Sequence, residues 1–334
     1  MILDRLNYET FTSVVSILEL LDNFPCTRSS SPYQRIEYLK LAVRRHHFYS
    51  FIRLVRPFFI KFNIDGRAAI IMPFSKSILN SEYFMFGDRA GFGYLDIICR
   101  DDLTVFDIRA CFDLLMRDFS CSVFHFNRVR KNSTNYGLLT SVSIPTGHEE
   151  CVTVDLVGNY DDYLKSLSKS SRQNYRTANN RIAKASKQLS FRRLSGKAIS
   201  QKVVDDMTGL YLNRLRSYKK HVGFVDRIFY RFIDLGFVSI RTLDFSEVCL
   251  LYIDEKLAAF MICFVNGDEL SVPRLAIDES FSFYSPGVLL VISAIKDLLD
   301  EGIIRTLDLM QGTEGYKFQV GGRIQECYSF RFSN

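Results

Sequence analysis

An α/β protein with a mixed sheet, divided into two domains, is what this sequence predicts, and three observations predict it. Its 334 residues, 47% hydrophobic and 14% aromatic, hold enough apolar material for two cores. Three strand-like runs, residues 248–253, 257–265 and 270–277, follow one another with Asp254-Glu255 and Asn266-Gly267 at the joints. The second joint is a strong hairpin signal, so an antiparallel meander is expected. A helix and one more strand then follow the meander, which adds the α/β character.

Taken in chain order, the first domain, residues 1–154, opens with a helix over about residues 8–23 and a Ser-rich loop over 27–32. A strand pair over 53–62 and 68–73 is expected around the Asp65-Gly66 turn. Residues 106–119 place Ile108, Cys111, Phe112 and Leu115 on one helical face, and residues 123–126 read as the strand after it. Strand, strand, helix, strand is also the order expected of the second domain, residues 155–334. The first therefore reads as a diverged copy of the second, with no residue-level repeat.

The second domain begins with a basic segment. Between residues 165 and 202 lie eleven Lys and Arg residues and no acid, more than the whole chain's net charge of +6. Up to Leu189 the segment reads as one amphipathic helix. Leu164, Leu167, Ala178, Ile182, Ala185 and Leu189 form an apolar stripe; Lys165, Lys169, Arg172 and Arg176 form a basic one. A docking surface for a polyanion and an ordinary solvated helix face both account for it.

Residues 281–318 carry the densest signal. Ser285 is a good N-cap, Pro286 suits the first helical position, and Gly287 lets a ligand approach the backbone. The helix runs on through Val288, Leu289, Ile292, Ile295, Leu298 and Leu299 and stops at Gly302. An anion can sit at its start, where free N–H groups and the positive dipole end converge, and a pyrophosphate such as that of coenzyme A has the right charge. Residues 306–310 read as a buried strand carrying one acid, Asp308, and Gln311-Gly312 as its loop end.

The meander, the Ser-Pro-Gly-Val-Leu-Leu helix start at residues 285–290, and the strand ending Asp-Leu-Met-Gln-Gly with Tyr316-Lys317 beyond it form an ordered series. It resembles the GNAT superfamily and, more narrowly, the CelD/BcsL-like acetyltransferases associated with cellulose and exopolysaccharide synthesis. Those are similar in turn to the Fem-type aminoacyl transferases of cell-wall assembly. Tyr163-Leu164, Leu167-Ser168 and Ser171-Arg172 look like the family's segment entering the second domain; Phe86-Gly87 and Tyr94-Leu95-Asp96 look like one in the first. The chain departs from the family in lacking tryptophan, with Val320 where one often stands, and in lacking a histidine near Asn213.

The resemblance implies tandem GNAT-like domains, the first diverged, and acyl transfer from acetyl-CoA or another acyl-CoA to an amine acceptor. Ser285, Pro286, Gly287, Val288 and Leu289 would bind the cofactor, and Asp308, Tyr316 and Lys317 would be the catalytic set. An amine deprotonated through Asp308, or through a water it orients, would attack the thioester. A strand N–H near residues 275–277 would steady the oxyanion, and Tyr316 would serve the departing thiolate. The residues alone leave each alternative open: a helix cap without ligand at Ser285, and at Asp308 a buried carboxylate bonded to backbone N–H groups. Tyr316 also reads as core packing, and Lys317 as a surface salt bridge rather than a holder of a substrate carboxylate or phosphate. Glu314 and Tyr284 qualify by loop position, and Arg274 reads equally well as a cleft residue or a cross-strand charge.

Composition narrows the remaining classes. No apolar run is long enough to span a bilayer, and the N-terminus carries acids where a signal peptide carries lysines, so a cytoplasmic protein is expected. The eight cysteines contain no Cys-x-x-Cys pair and read as reduced thiols. His46 and His47 are adjacent, a poor arrangement for two ligands of one ion, so no metal is expected. No P-loop motif is present. Nucleic acid is not expected as a partner, except tRNA under the alternative of a Fem-like aminoacyl-tRNA-dependent transferase; a non-catalytic tandem GNAT-fold binding protein is the other alternative.

Overall fold

Two dipeptides in left-handed conformation each set a hairpin, one in each of the chain's two units. Asp65 and Gly66 have φ of 54° and 72°, and Asp254 and Glu255 have φ of 49° and 63°, the sense whose twist matches that of antiparallel strands. The computed structural model describes residues 5–24, 31–46, 54–88, 93–100, 102–216, 228, 230 and 234–333. The chain forms two compact units, residues 1–150 with 325–334 and residues 151–324.

In the first unit the strands are β1 (Leu6–Phe11), β2 (Val55–Ile64), β3 (Arg67–Ser77), β4 (Glu82–Met85), β5 (Ile98–Cys99) and β6 (Val123–Arg130). Residues from 325 onward return to it in the strand Arg323–Phe332, and the sheet order is β1, β2, β3, β4, β6 and this returning strand, with β5 on β3. Helices α1 (Val14–Asn23), α2 (Ile36–Arg44), α3 (Val105–Asp118) and α4 (Thr134–Val142) complete it. A ring cluster that includes Phe58, Phe74, Tyr83, Phe119 and Phe124 fills its core. Edge-to-face and stacked pairs of this kind add to the burial of the rings themselves.

The helix expected over residues 8–23 is two elements. Leu6–Phe11 pairs with β2 in antiparallel register from Leu6↔Ile64 to Phe11↔Phe59, and only after Ser13, whose side chain accepts from the Ser16 N–H, does α1 begin. The strand partner decides the conformation of a segment whose own periodicity is ambiguous. Arg53, the first residue of the expected strand pair, lies outside the described residues, as do Cys26, His47 and most of the Ser-rich loop.

The second unit has the same plan. Its strands are β7 (Gly147–Asp155, entering at Cys151), β8 (Leu189–Ser195), β9 (Ser246–Ile253), β10 (Lys256–Asn266), β11 (Glu269–Ile277) and β12 (Thr306–Gln311). The sheet order is β8, β9, β10, β11, β12, β7. In each unit the strands before and after a long helix pair in parallel, β4 with β6 around α3, and β11 with β12, while the other described pairs are antiparallel. The meander expected over residues 248–277 is present, although its second turn lies one residue later than expected, at Gly267-Asp268, with Asn266 paired to Glu269.

The helices here are α5 (Tyr160–Ser166), α6 (Lys169–Lys184), α7 (Gln201–Arg216), α8 (Leu235–Thr242), α9 (Pro286–Glu301) and α10 (Gly315–Gln319). The single amphipathic helix expected up to Leu189 is therefore α5 and α6, followed by strand β8. Ser168 divides the helices by capping α6 through the Ser171 N–H at 3.0 Å, and Leu189 pairs with Ile253. Leu289, Ile292, Ile295 and Leu298 of α9 pack with Leu251, Met261, Leu307 and Leu309 in one core. Among the described residues no helix is long and apolar enough to cross a membrane, and the described cysteines form no disulfide with one another.

Two glycines of this unit have opposite requirements. A Cβ on Gly322 would collide with Val152 and stand 2.5 Å from the Lys317 carbonyl oxygen, whereas one on Gly209 in α7 would meet nothing within 4 Å. Gly322→Ala is expected to lower stability by about 2–3 kcal/mol through overpacking, and Gly209→Ala to raise it by roughly 0.5–1 kcal/mol through helix propensity. Urea midpoints of the two variants check both signs.

Candidate active site

Strands β11 and β12 pair over three residues and then separate. The pairs are Glu269↔Thr306, Leu270↔Leu307 and Ser271↔Asp308. Just beyond, β11 bulges: Phe264 faces Ser271 and Ile262 faces Arg274, so Cys263 alone stands opposite Val272 and Pro273. Pro273 has no N–H to give a ladder. On the other side of the gap, the register of β12 against β7 jumps from Asp308 to Gln311 around Met310, which has φ of 63°. The result is an opening in the ladder between two adjacent parallel strands.

One edge of that opening is backbone. The Asp278 N–H donates to the Ala258 carbonyl of the β10 side, and Arg214 Nη1 donates to the Leu275 carbonyl at 2.7 Å from the other side. Because N–H and C=O of a strand residue share an edge and edges alternate along the chain, Leu275 and Ile277 point their backbone groups into the opening. Arg214, in the last turn of α7, thus fixes the Leu275 peptide, a role that a lone arginine near a helix end does not advertise in sequence.

Helix α9 starts beside this edge, and its start differs from expectation. Ser285 occupies the N-cap position, but with φ of 53° and ψ of 52° and with no side-chain cap hydrogen bond; it contributes its carbonyl to the Leu289 N–H at 3.2 Å. A left-handed non-glycine residue costs of order 1 kcal/mol, and such strain collects at functional turns. With Pro286 in the first position, the N–H groups of Gly287 and Val288 are left without a side-chain cap. Gly287 is needed for packing as well as for access: a Cβ there would stand 3.3 Å from Ile277 Cγ2 and 3.9 Å from Leu275 Cδ2. A large residue at Gly287 would therefore disturb β11 itself. Leu289 is in the core, and Val288 is nearly so.

Asp308 is fully buried, and its Oδ1 accepts from the Met310 N–H at 2.8 Å, across the irregular part of β12. Lys317 turns inward instead of lying on the surface. Its Nζ donates to the carbonyls of Met310, Gln311 and Gly312 at 3.2, 2.6 and 3.0 Å, and meets Glu314 Oε2 at 2.9 Å. The ammonium is therefore engaged in tying down the end of β12 and the start of the loop after it. Tyr316, partly buried against the core of α9, has its phenol pushed up to about 12, first by burial and then by Glu314, with Arg214 opposing. Burial alone would raise the Glu314 carboxyl; the hydrogen bond from Lys317 brings it below its ordinary value. Tyr163 of the second unit's entry segment donates to the Val320 carbonyl at 3.0 Å, so α5 holds the far end of α10.

The basic segment divides among several tasks. Arg172 donates to the carbonyls of Lys165 and Leu167, and Arg193 meets Glu247, Asp297 and Glu301. Arg181 lies over the Phe283 ring at 4.4 Å and donates to the Phe283 carbonyl at 2.7 Å, two residues before Ser285. Lys169, Arg176 and Lys184 are exposed on α6. Arg274 leaves the sheet toward α7 and α8, pairs with Asp234 and lies against the Tyr211 and Phe237 rings, and among the described residues it forms no cross-strand ion pair. Tyr284 packs against the α9 core. Among the described residues no group of three or more His, Cys, Asp and Glu side chains is placed to hold a metal ion.

Comparison with known proteins bears on the fold. Residues 169–318 match the family model described as an acetyltransferase (GNAT) domain. The chain is similar to the crystal structure of FemX, at 9% identity, 98% of this chain and 97% of the other, with a TM-score of 0.59. It is similar to L-PGS from Bacillus licheniformis at 14% identity, 84% of each chain and a TM-score of 0.54. A conserved protein of unknown function from Bacteroides thetaiotaomicron aligns over 98% of this chain and 100% of its own, at 12% identity and a TM-score of 0.54. No curated protein matches the sequence. The expected fold class, a mixed-sheet α/β protein of tandem GNAT-like units, is therefore correct.

Tyr316 supplies a pH test of this geometry. Its phenol, raised from 10.0 to about 12, stays neutral in the folded protein where an unfolded tyrosine ionises. The stability that this neutral ring contributes is complete below about pH 10 and lost as pH rises toward 12. The phenolate absorbance of the wild type minus that of Tyr316→Phe is expected to titrate in the upper part of that window; a difference curve centred at the ordinary tyrosine value would contradict the buried setting.

Proposed function

We propose that the second unit is an acyl-CoA-dependent N-acyltransferase acting on an amine. One observation carries this reading: β11 and β12 part after Ser271 and Asp308, and the opening leads from the backbone edge of Leu275 and Ile277 to the uncapped start of α9. An extended amide chain ending in a pyrophosphate fits such a slot, with hydrogen bonds along the strand edge and phosphate oxygens at the Gly287 and Val288 N–H groups. Coenzyme A, when bound, supplies the activated thioester. The chain's own residues supply the rest.

In this reading the Leu275 N–H, held in place because Arg214 fixes the carbonyl of the same residue, steadies the developing oxyanion. Asp308, deep in the apolar sheet, takes the proton of the attacking ammonium, directly or through water. Tyr316 keeps its proton through the physiological range and gives it to the departing thiolate. Lys317 acts by holding the loop that carries Tyr316, not by touching the acceptor. The acetyl group is the simplest acyl group for this reading, and a link to exopolysaccharide or envelope synthesis rests on the CelD/BcsL-like resemblance alone.

A second reading is favoured by Arg181 and the exposed Lys169, Arg176 and Lys184, which put positive charge on the helix that borders the α9 turn. In it the acyl group comes from an aminoacyl-tRNA and the basic face holds that polyanion, as the Fem-type resemblance implies. Calorimetric titration with acetyl-CoA separates the two. The first reading expects saturable binding to the wild type, retained within a few-fold by Asp308→Asn and Tyr316→Phe, with thiol release by both variants reduced at least about a hundredfold. No binding of acetyl-CoA, together with tRNA binding that falls steeply with salt, would transfer the assignment to the second.

A further inference from the structure

Arg274 is bonded at only one of its two terminal nitrogens. Nη2 donates to Asp234 Oδ2 at 3.0 Å, while Nη1 is buried and, among the described residues, has no hydrogen-bond partner. The guanidinium is fixed in this state. Its centre stands 4.5 Å from the Tyr211 ring, 5.1 Å from Phe237 and 5.7 Å from Tyr230, so aromatic faces line it and leave its donors little freedom. Asp234 is committed too, because its Oδ1 caps α8 through the Phe237 N–H at 3.2 Å. An arginine N–H buried without an acceptor costs free energy, and nothing in the fold of the sheet requires it.

The position of this donor relates it to the opening. Ser271 lies opposite Phe264, and Arg274 opposite Ile262, on the sheet face where Phe260 meets Phe237 of α8. Asp308 is in register with Ser271, so alternation puts Asp308 and Arg274 on one face, the face away from α9. The Arg274 side chain keeps 20% of its surface exposed while Nη1 itself is buried, so an acceptor group must enter that sheet face to meet the donor.

From these placements the geometry points to Arg274 as the residue that receives, on Nη1, a carboxylate carried by the amine acceptor. A monoanion fits better than a phosphate dianion, because Asp234 already places one negative charge against the same guanidinium. The assignment rests on the acyltransferase reading in that it presumes an amine acceptor. It extends that reading by naming the acceptor's second functional group and a specificity-determining residue.

The test uses ligand-observed NMR with a panel of N-acetylamino acids and the matching N-acetylamino acid amides, which differ in the carboxylate alone. Wild type is expected to bind at least one acid about tenfold or more tightly than its amide, the scale of a charge-assisted hydrogen bond. Arg274→Gln is expected to abolish the preference. So is the double variant Arg274→Gln with Asp234→Asn, which removes both buried charges together and so protects the fold, as its circular dichroism and melting will report. A wild type indifferent to the carboxylate, a preference that survives in the double variant, or binding of inorganic phosphate in preference to every acid would overturn the assignment. Failure of coenzyme A to bind while the acid preference holds would remove the acyl-CoA reading and leave the Arg274 site standing.

Discussion

Everything proposed for the second unit depends on one interrupted ladder, the parallel pairing of β11 and β12 that stops after Ser271 and Asp308. Parallel neighbours in a sheet ordinarily satisfy one another's backbone groups along their whole length, and a buried backbone group left unpaired is costly. Here the interruption is made on both sides, by the Val272-Pro273 bulge in β11 and by left-handed Met310 in β12. Local contacts then hold each lip of the opening: Arg214 on the Leu275 carbonyl, Asp308 on the Met310 N–H, and Lys317 on three consecutive carbonyls after it. The opening is a maintained part of the fold.

The charges near it are distributed by the same logic. Lys317 and Arg172 spend their donors on carbonyls, and Arg193 spends its own on three carboxylates, so these cations stabilise loops and helix junctions. Arg181 is different because it ends beside the α9 turn, where its charge adds to an already positive helix start that attracts a polyanionic group. Arg274 is different again because a donor is left over. Among the described basic residues, these two join the exposed Lys169, Arg176 and Lys184 as groups placed to meet a ligand's negative charge.

Much of the architecture was legible in the sequence, and the exceptions have a common cause. The meander, the α9 helix with its Gly302 stop and the buried β12 strand are written in local patterns of period two and period 3.6 and in turn residues, so they could be read. Leu6–Phe11 could not, because its strand character comes from pairing with β2, far along the chain, from Leu6↔Ile64 to Phe11↔Phe59. Ser285 was expected as a side-chain cap, and its left-handed backbone shows that the turn answers to the preceding helical turn and β11 rather than to its own propensity. Lys317 was expected to hold a substrate carboxylate or phosphate, or else to form a surface salt bridge, and nothing in its neighbours reveals that the chain folds three carbonyls onto the ammonium. Arg214 and the Asp234–Arg274 pair are invisible to any local pattern, as each joins elements far apart in the chain.

The most direct test of the central claim is residue-resolved hydrogen exchange of the backbone amides of Leu275, Ile277, Gly287 and Val288, with and without coenzyme A. Open-edge and uncapped amides should exchange fast in the free protein, and all four should slow markedly once the ligand is bound. Coenzyme A that binds while these four amides exchange as before would place the ligand elsewhere and contradict the account.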